Sequence, residues 1–68
     1  MSPAARQQRT HRLERAGFAV YRAAVDLREV RERYPGADEL ARRLQAIEEE
    51  ARTVAAQIAR ELRTLADH

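Results

Sequence analysis

The chain has 68 residues, 35% of them charged and 44% hydrophobic, with 13 basic side chains against 11 acidic ones and a formal net charge of +2. That is one domain at most, close to the lower size limit for a self-supporting core, because a chain this short buries roughly 60% of what its unfolded form exposes. The lack of cysteine excludes a disulfide staple, a thiol nucleophile and a cysteine-ligated metal site, and no run approaches the ~18 consecutive apolar residues of a membrane span.

The opening Met1-Ser2-Pro3-Ala4-Ala5-Arg6 lacks the apolar stretch of a secretory signal, so the expected location is cytoplasmic. All basic residues are arginine, which reads as codon usage in a GC-rich bacterial genome. Arginine does not titrate in an accessible range, so the high isoelectric point says little about affinity for polyanions.

Ser2-Pro3 predicts a helix start, the serine accepting from an orphan backbone N–H and the proline pre-set for the first helical position. The first helix is expected over 3–34, because the residue before Pro35 is pushed away from helical angles. Gly17 lies inside it, where it costs up to about 1 kcal/mol relative to alanine, and is expected at a point of close helix approach. Pro35-Gly36 interrupts the pattern, giving a turn at 35–37 and a second helix over about 38–66, with Asp38 and Glu39 facing the positive end of its dipole.

The apolar positions set the faces. Leu13, Ala16, Val20, Ala23, Leu27, Val30 and Tyr34 step by three and four, as do Leu40, Leu44, Ile47, Ala51, Val54, Ile58, Leu62 and Leu65, the spacing of a coiled-coil seam. No period-two alternation occurs. The prediction is an all-α, antiparallel two-helix hairpin whose core is Leu13, Val20, Leu27, Val30, Leu40, Leu44, Ile47, Val54 and Ile58. Folding at Pro35-Gly36 sets residue i across from a residue near about 71 minus i, pairing Leu13 with Ile58 and Leu27 with Leu44. Surface pairs four apart, Arg22–Asp26, Arg28–Glu32, Glu29–Arg33, Asp38–Arg42, Glu39–Arg43 and Glu48–Arg52, add a few tenths of a kcal/mol each.

Two helices cover only one stripe on each other, and more apolar surface is present than that. Phe18, Tyr21 and Val25 lie nearly opposite the first seam, and Leu62 and Leu65 are expected to face Arg9 and Arg6 at the open end of the hairpin. These five residues are the expected oligomer interface of a four-helix bundle with coiled-coil-like packing, most simply a homodimer of hairpins. Burial on a different protein, or aromatic rings lying flat on a monomer, are the alternatives.

For catalysis the inventory is thin. His11 and His68 are the only imidazoles. His11 and Glu14 are three apart, in the reverse order to that of helical di-metal sites, so a solvated pair is expected and no metal or cofactor. Glu48, Glu49 and Glu50 are consecutive, fan across the helix and are expected to be solvated. No histidine and acid accompany the serine or threonines, and no glycine-rich loop cradles a phosphate, so no enzyme is expected. Arg6, Arg9, Arg12 and Arg15 recur every three residues where cations oppose the helix dipole. With Arg60 and Arg63 they are the candidates for binding a polyanion. Up to Tyr34 the chain has eight arginines against four acids, and afterwards five against seven. The expected function is a small non-enzymatic interaction, scaffolding or regulatory protein acting as a homo-oligomeric helical bundle, with another protein as further partner. The alternative is a nucleic-acid-binding regulator that uses the arginine-rich segment.

Overall fold

A computed structural model describes residues 2–34, 36 and 38–67. The chain is two helices packed against each other, α1 (Pro3–Arg33) and α2 (Glu39–Ala66). Of the turn expected at 35–37, Pro35 and Ala37 lie outside the described residues, as does His68. No helix is long and apolar enough to cross a membrane among the described residues.

Both helices begin on side-chain caps. Ser2 Oγ accepts from the Ala5 amide at 3.2 Å, with Pro3 at the first helical position. Asp38 Oδ1 accepts from the Ala41 amide at 3.1 Å, and each bond satisfies a donor that the helix cannot. Asp38 also accepts through Oδ2 from the Tyr34 hydroxyl at 3.1 Å. Tyr34 in turn caps α1, donating its amide to Val30 O at 2.9 Å. The connection is thus tied across by one side-chain bond.

The helices run antiparallel. A Cβ placed on Gly17 would sit 2.9 Å from Ile58 Cγ2, so the Ile58 side chain packs against α1 where α1 has no side chain of its own. Residue i therefore stands across from about 75 minus i, one helical turn away from the register that folding at Pro35-Gly36 implies. The helix ends, Arg33 and Glu39, are centred on Gly36, so the register is set along the rod, where Gly17 receives Ile58, and not by where α2 begins. In this register Leu13 opposes Leu62 and Thr10 opposes Leu65, all four partly buried. The two leucines expected to be bare at the open end face a leucine and a threonine instead of Arg9 and Arg6.

The rotation of each helix also differs from expectation. On α1 the positions shielded by α2 are Thr10, Leu13, Gly17, Val20, Ala24, Leu27, Arg31 and Tyr34. On α2 they are Ala41, Leu44, Glu48, Ala51, Ala55, Ile58, Leu62 and Leu65, with Val54 partly shielded beside them. Both sets step strictly by three and four, the spacing of a coiled-coil seam. Val30, Leu40 and Ile47, expected in the hairpin core, are 51%, 51% and 54% exposed. Ala16 and Ala23 of the expected seam are exposed as well. Each lies one residue before a contact position, about 100° around the helix from it, which turns the apolar stripe as a whole by about 50° from the contact line. The side chains that take the contact in their place are small or charged: Gly17, Ala24, Arg31, Ala41 and Glu48.

The result is a rod. Its Cα extents are 51 × 14 × 13 Å and its radius of gyration 15.6 Å, where a compact domain of this length has about 11 Å. Only Ala24 and Glu48 are buried among the described residues.

The close approach at Gly17 is testable by a double-mutant cycle. Gly17→Ala gains about 1 kcal/mol of helix propensity but puts a methyl against the Ile58 branch. In an Ile58→Leu background, which lacks that branch, Gly17→Ala should stabilise; with Ile58 present it should be less favourable by about 1 kcal/mol or more. Additive effects in urea denaturation would mean that the helices do not meet at this point.

Candidate functional site

The strongest polar cluster lies in the helix–helix contact itself. Glu48 is 4% exposed, and Arg31 reaches it from α1, with Nη2 at 3.0 Å and Nε at 3.1 Å from Oε1. Arg52, one turn on along α2, places Nη2 2.9 Å from Oε2. Both carboxylate oxygens are thereby engaged by guanidinium groups. A glutamate at this position needs such partners, because an unpaired buried charge is costly. Glu48 therefore departs from the solvated face expected for Glu48, Glu49 and Glu50, whereas the other two are exposed. The signal available in the sequence was the heptad position: counting back by three and four from Ala51, Ala55 and Ile58 lands on Glu48, and an arginine stands near the matching level of α1.

Of the remaining pairs spaced by four, Arg22–Asp26 at 3.5 Å, Arg28–Glu32 at 2.9 Å and Glu39–Arg43 at 2.9 Å form on open surface, where such pairs contribute little. Asp38 serves as the cap of α2, and no ion pair joins it to Arg42, or Glu29 to Arg33, among the described residues.

Two apolar faces flank the contact. On one side, Tyr21, Val25 and Arg28 of α1 line a shallow groove with Arg52, Ala55 and Ala56 of α2. Phe18 stands at its outer edge beside Tyr21, Arg22 and Val25. Phe18 is 69% and Tyr21 62% exposed, while Val25 is partly buried. On the other side lie the rows that sit one residue before the contact positions. They are Ala16, Ala23 and Val30 on α1 and Leu40, Ile47 and Val54 on α2. In antiparallel helices, rows displaced in the same sense from the contact fall on the same side, so these six form one face. It is the purely aliphatic one, and the sequence pattern had assigned it to the hairpin interior.

The six candidate polyanion-binding arginines, Arg6, Arg9, Arg12, Arg15, Arg60 and Arg63, are all exposed in the half of the rod away from the turn. No ion pair engages them among the described residues. α1 carries no acid in its first turn to offset its dipole there. His11 and Glu14 are exposed, and no three metal-ligating side chains converge among the described residues.

Comparison with protein-family models, characterised proteins and solved structures finds no match for this chain.

The Arg31–Glu48 pair and the Asp38 cap each make a measurable prediction. Arg31→Leu, which leaves Glu48 in the contact with one cation, should cost about 1–3 kcal/mol, toward the lower end because Arg31 keeps a third of its surface open. Adding Glu48→Leu should restore most of that loss, since a well-packed apolar pair replaces the ions; a further loss in chemical denaturation would contradict the pairing. The bond from the Ala41 amide, together with the Tyr34 hydroxyl, holds the Asp38 carboxyl below its ordinary value of 3.8. A lowered pKa means that the cap's stabilisation is complete above that value and is lost as the pH falls through the folded-state pKa. A urea midpoint followed from neutral pH to strong acid should lose part of its acid sensitivity in Asp38→Asn, which keeps a capping oxygen without a proton to gain.

Proposed function

We propose that the chain is a small non-enzymatic interaction or scaffolding protein that acts as a self-associated helical bundle. The observation that carries this reading is the poverty of the lone hairpin's interior. One alanine and one ion-paired glutamate are its buried residues among those described, while Phe18, Tyr21, Val30, Leu40 and Ile47 are each at least half exposed. The accessible surface is 5618 Å², against about 4400 Å² for a compact folded chain of 7.8 kDa. That excess is larger than the roughly 800 Å² that each partner covers in a standard interface. The heptad pattern points the same way. A strict two-position stripe suffices for an isolated coiled coil, whereas a helix built for a bundle core carries an additional apolar flank, as both helices do here. What the assembled bundle then offers is surface, and the partner that fits it is another protein.

A second reading rests on the exposed arginines away from the turn, which are available for phosphates. It would make the bundle a nucleic-acid-binding regulator whose affinity falls steeply with salt.

Solution mass decides the first reading: a particle of at least twice 7.8 kDa is expected at micromolar concentration. A stably folded particle of one chain would remove the basis for the bundle. Retention on duplex DNA or structured RNA at near-physiological salt, lost when Arg6, Arg9, Arg12 and Arg15 are changed to glutamine, would establish the second reading over the scaffold. Absence of retention would leave the scaffold.

A further inference from the structure

We infer that the second copy docks on the aliphatic face, Ala16, Ala23 and Val30 with Leu40, Ile47 and Val54, in parallel alignment with both turns at the same end, and that the Phe18–Tyr21 patch stays outside the resulting bundle. The inference rests on the self-association proposed above and names its surface and geometry. It moves the interface away from Phe18, Tyr21, Val25, Leu62 and Leu65, where the sequence pattern alone placed it.

The first argument is the fit of the two rows. In the register set by Gly17 and Ile58, Val54 stands at a level between Ala16 and Ala23, Ile47 between Ala23 and Val30, and Leu40 beyond Val30 toward the turn. A two-fold axis along the rod keeps these levels and lays the α1 row of one copy on the α2 row of the other. The larger side chains of α2 then drop between the small ones of α1, which is how facing helices fill space without voids. The reversed alignment lays α1 on α1 and α2 on α2, so that alanines meet alanines and the bulky row meets itself.

Charge gives an independent second argument. The segment up to Tyr34 has eight arginines against four acids, and the remainder five against seven. In the parallel alignment each α1 has only α2 helices as its neighbours and each α2 only α1 helices, so the excess charges alternate around the bundle. The reversed alignment sets the two arginine-rich helices side by side, where like charges oppose association. The row positions continue this pattern outward, with Arg9 next along the α1 row and Glu61 next along the α2 row.

Area is the third. The whole side of the rod, 51 Å long and 14 Å wide, has a footprint of about 700 Å², near the ~800 Å² per partner of a standard stable interface, and the aliphatic residues fill about 30 Å of that length, from the level of Ala16 to the turn. The Phe18–Tyr21 patch occupies only part of one helix's outer surface and would leave Leu40 and Ile47 in water.

The test compares two charge insertions and adds a cross-linking step that works on folded protein. Sedimentation equilibrium should give twice the chain mass for wild type and for Phe18→Asp, and a two-fold drop for Ile47→Asp. Dissociation by Phe18→Asp with Ile47→Asp still dimeric would overturn the face while leaving self-association intact. A folded wild-type monomer would overturn the bundle itself and assign the aliphatic face to a different protein. Because the chain has no cysteine, alignment can be read from single-cysteine variants. A mixture of Ala23→Cys and Val54→Cys should form a mixed disulfide dimer on mild oxidation, and Ala23→Cys alone should not cross-link. Efficient cross-linking of Ala23→Cys to itself, with none in the mixture, would overturn the parallel alignment.

Discussion

The structure depends on what is allowed to stand in the line of contact between the two helices. That line is occupied at alternate turns by residues that are too short or too polar to form a core: Gly17, Ala24, Ala55, and the Glu48 carboxylate clasped by Arg31 and Arg52. Gly17 receives the Ile58 side chain, whose Cγ2 would lie 2.9 Å from an added Cβ. Glu48 can take its place only with α2 turned so that Arg31 reaches it from α1, while Arg52 stands one turn on along α2 itself. Turning α2 that far carries Ile47, its sequence neighbour, out of the contact. The same small rotation on α1 trades Val30 for Arg31. A choice made at a few positions thus determines where the bulk of the aliphatic side chains point.

The energetic consequence follows from geometry. Half-burying a leucine against one neighbouring helix captures only part of the roughly 1.5–3 kcal/mol available from full burial, and here nearly every large apolar side chain is in that condition or more exposed. The local features that hold the helices are sound but individually small: two side-chain caps, a Tyr34–Asp38 bond across the turn and surface ion pairs of little net worth. Each fixes the course of the chain without supplying the burial that stabilises ordinary domains of marginal free energy. The ion-paired Glu48 belongs with them, because such a group specifies register and orientation better than it stabilises.

The course of the chain was legible in the sequence because helix punctuation is local. Ser2-Pro3 and Asp38-Glu39 carry their own capping chemistry, and the three-and-four spacing excludes strands without any tertiary knowledge. The phase of the contact was not legible in that way. A periodicity search follows hydrophobicity, so it finds Ala16, Ala23, Val30, Leu40 and Ile47 and passes over Gly17, Arg31 and Glu48, whose place in the contact depends on partners from the other helix. The register was missed for a related reason: it follows from the seating of Ile58 against Gly17, a cross-helix contact that no count outward from the turn contains. The aromatic patch was visible because it stands apart from the seam of α1, with Tyr21 in the groove beside α2 and Phe18 at its outer edge. The aliphatic face was visible too, but as a hairpin core.

The two readings of the same heptads converge once the stripe is referred to a larger assembly. In a four-helix bundle the axis lies diagonally from each helix, between the directions of its two neighbours, so a stripe centred on that axis is rotated away from the line to either neighbour. Leu13, Val20, Leu27, Leu44, Ala51 and Ile58 then form the rank shared by both contacts. Ala16, Ala23, Val30, Leu40, Ile47 and Val54 form the rank on the side of the second hairpin, and the small residues with Glu48 line the side of the first. In the proposed bundle the offset of the stripe equals the angle between the direction of a helix's nearest neighbour and that of the bundle axis.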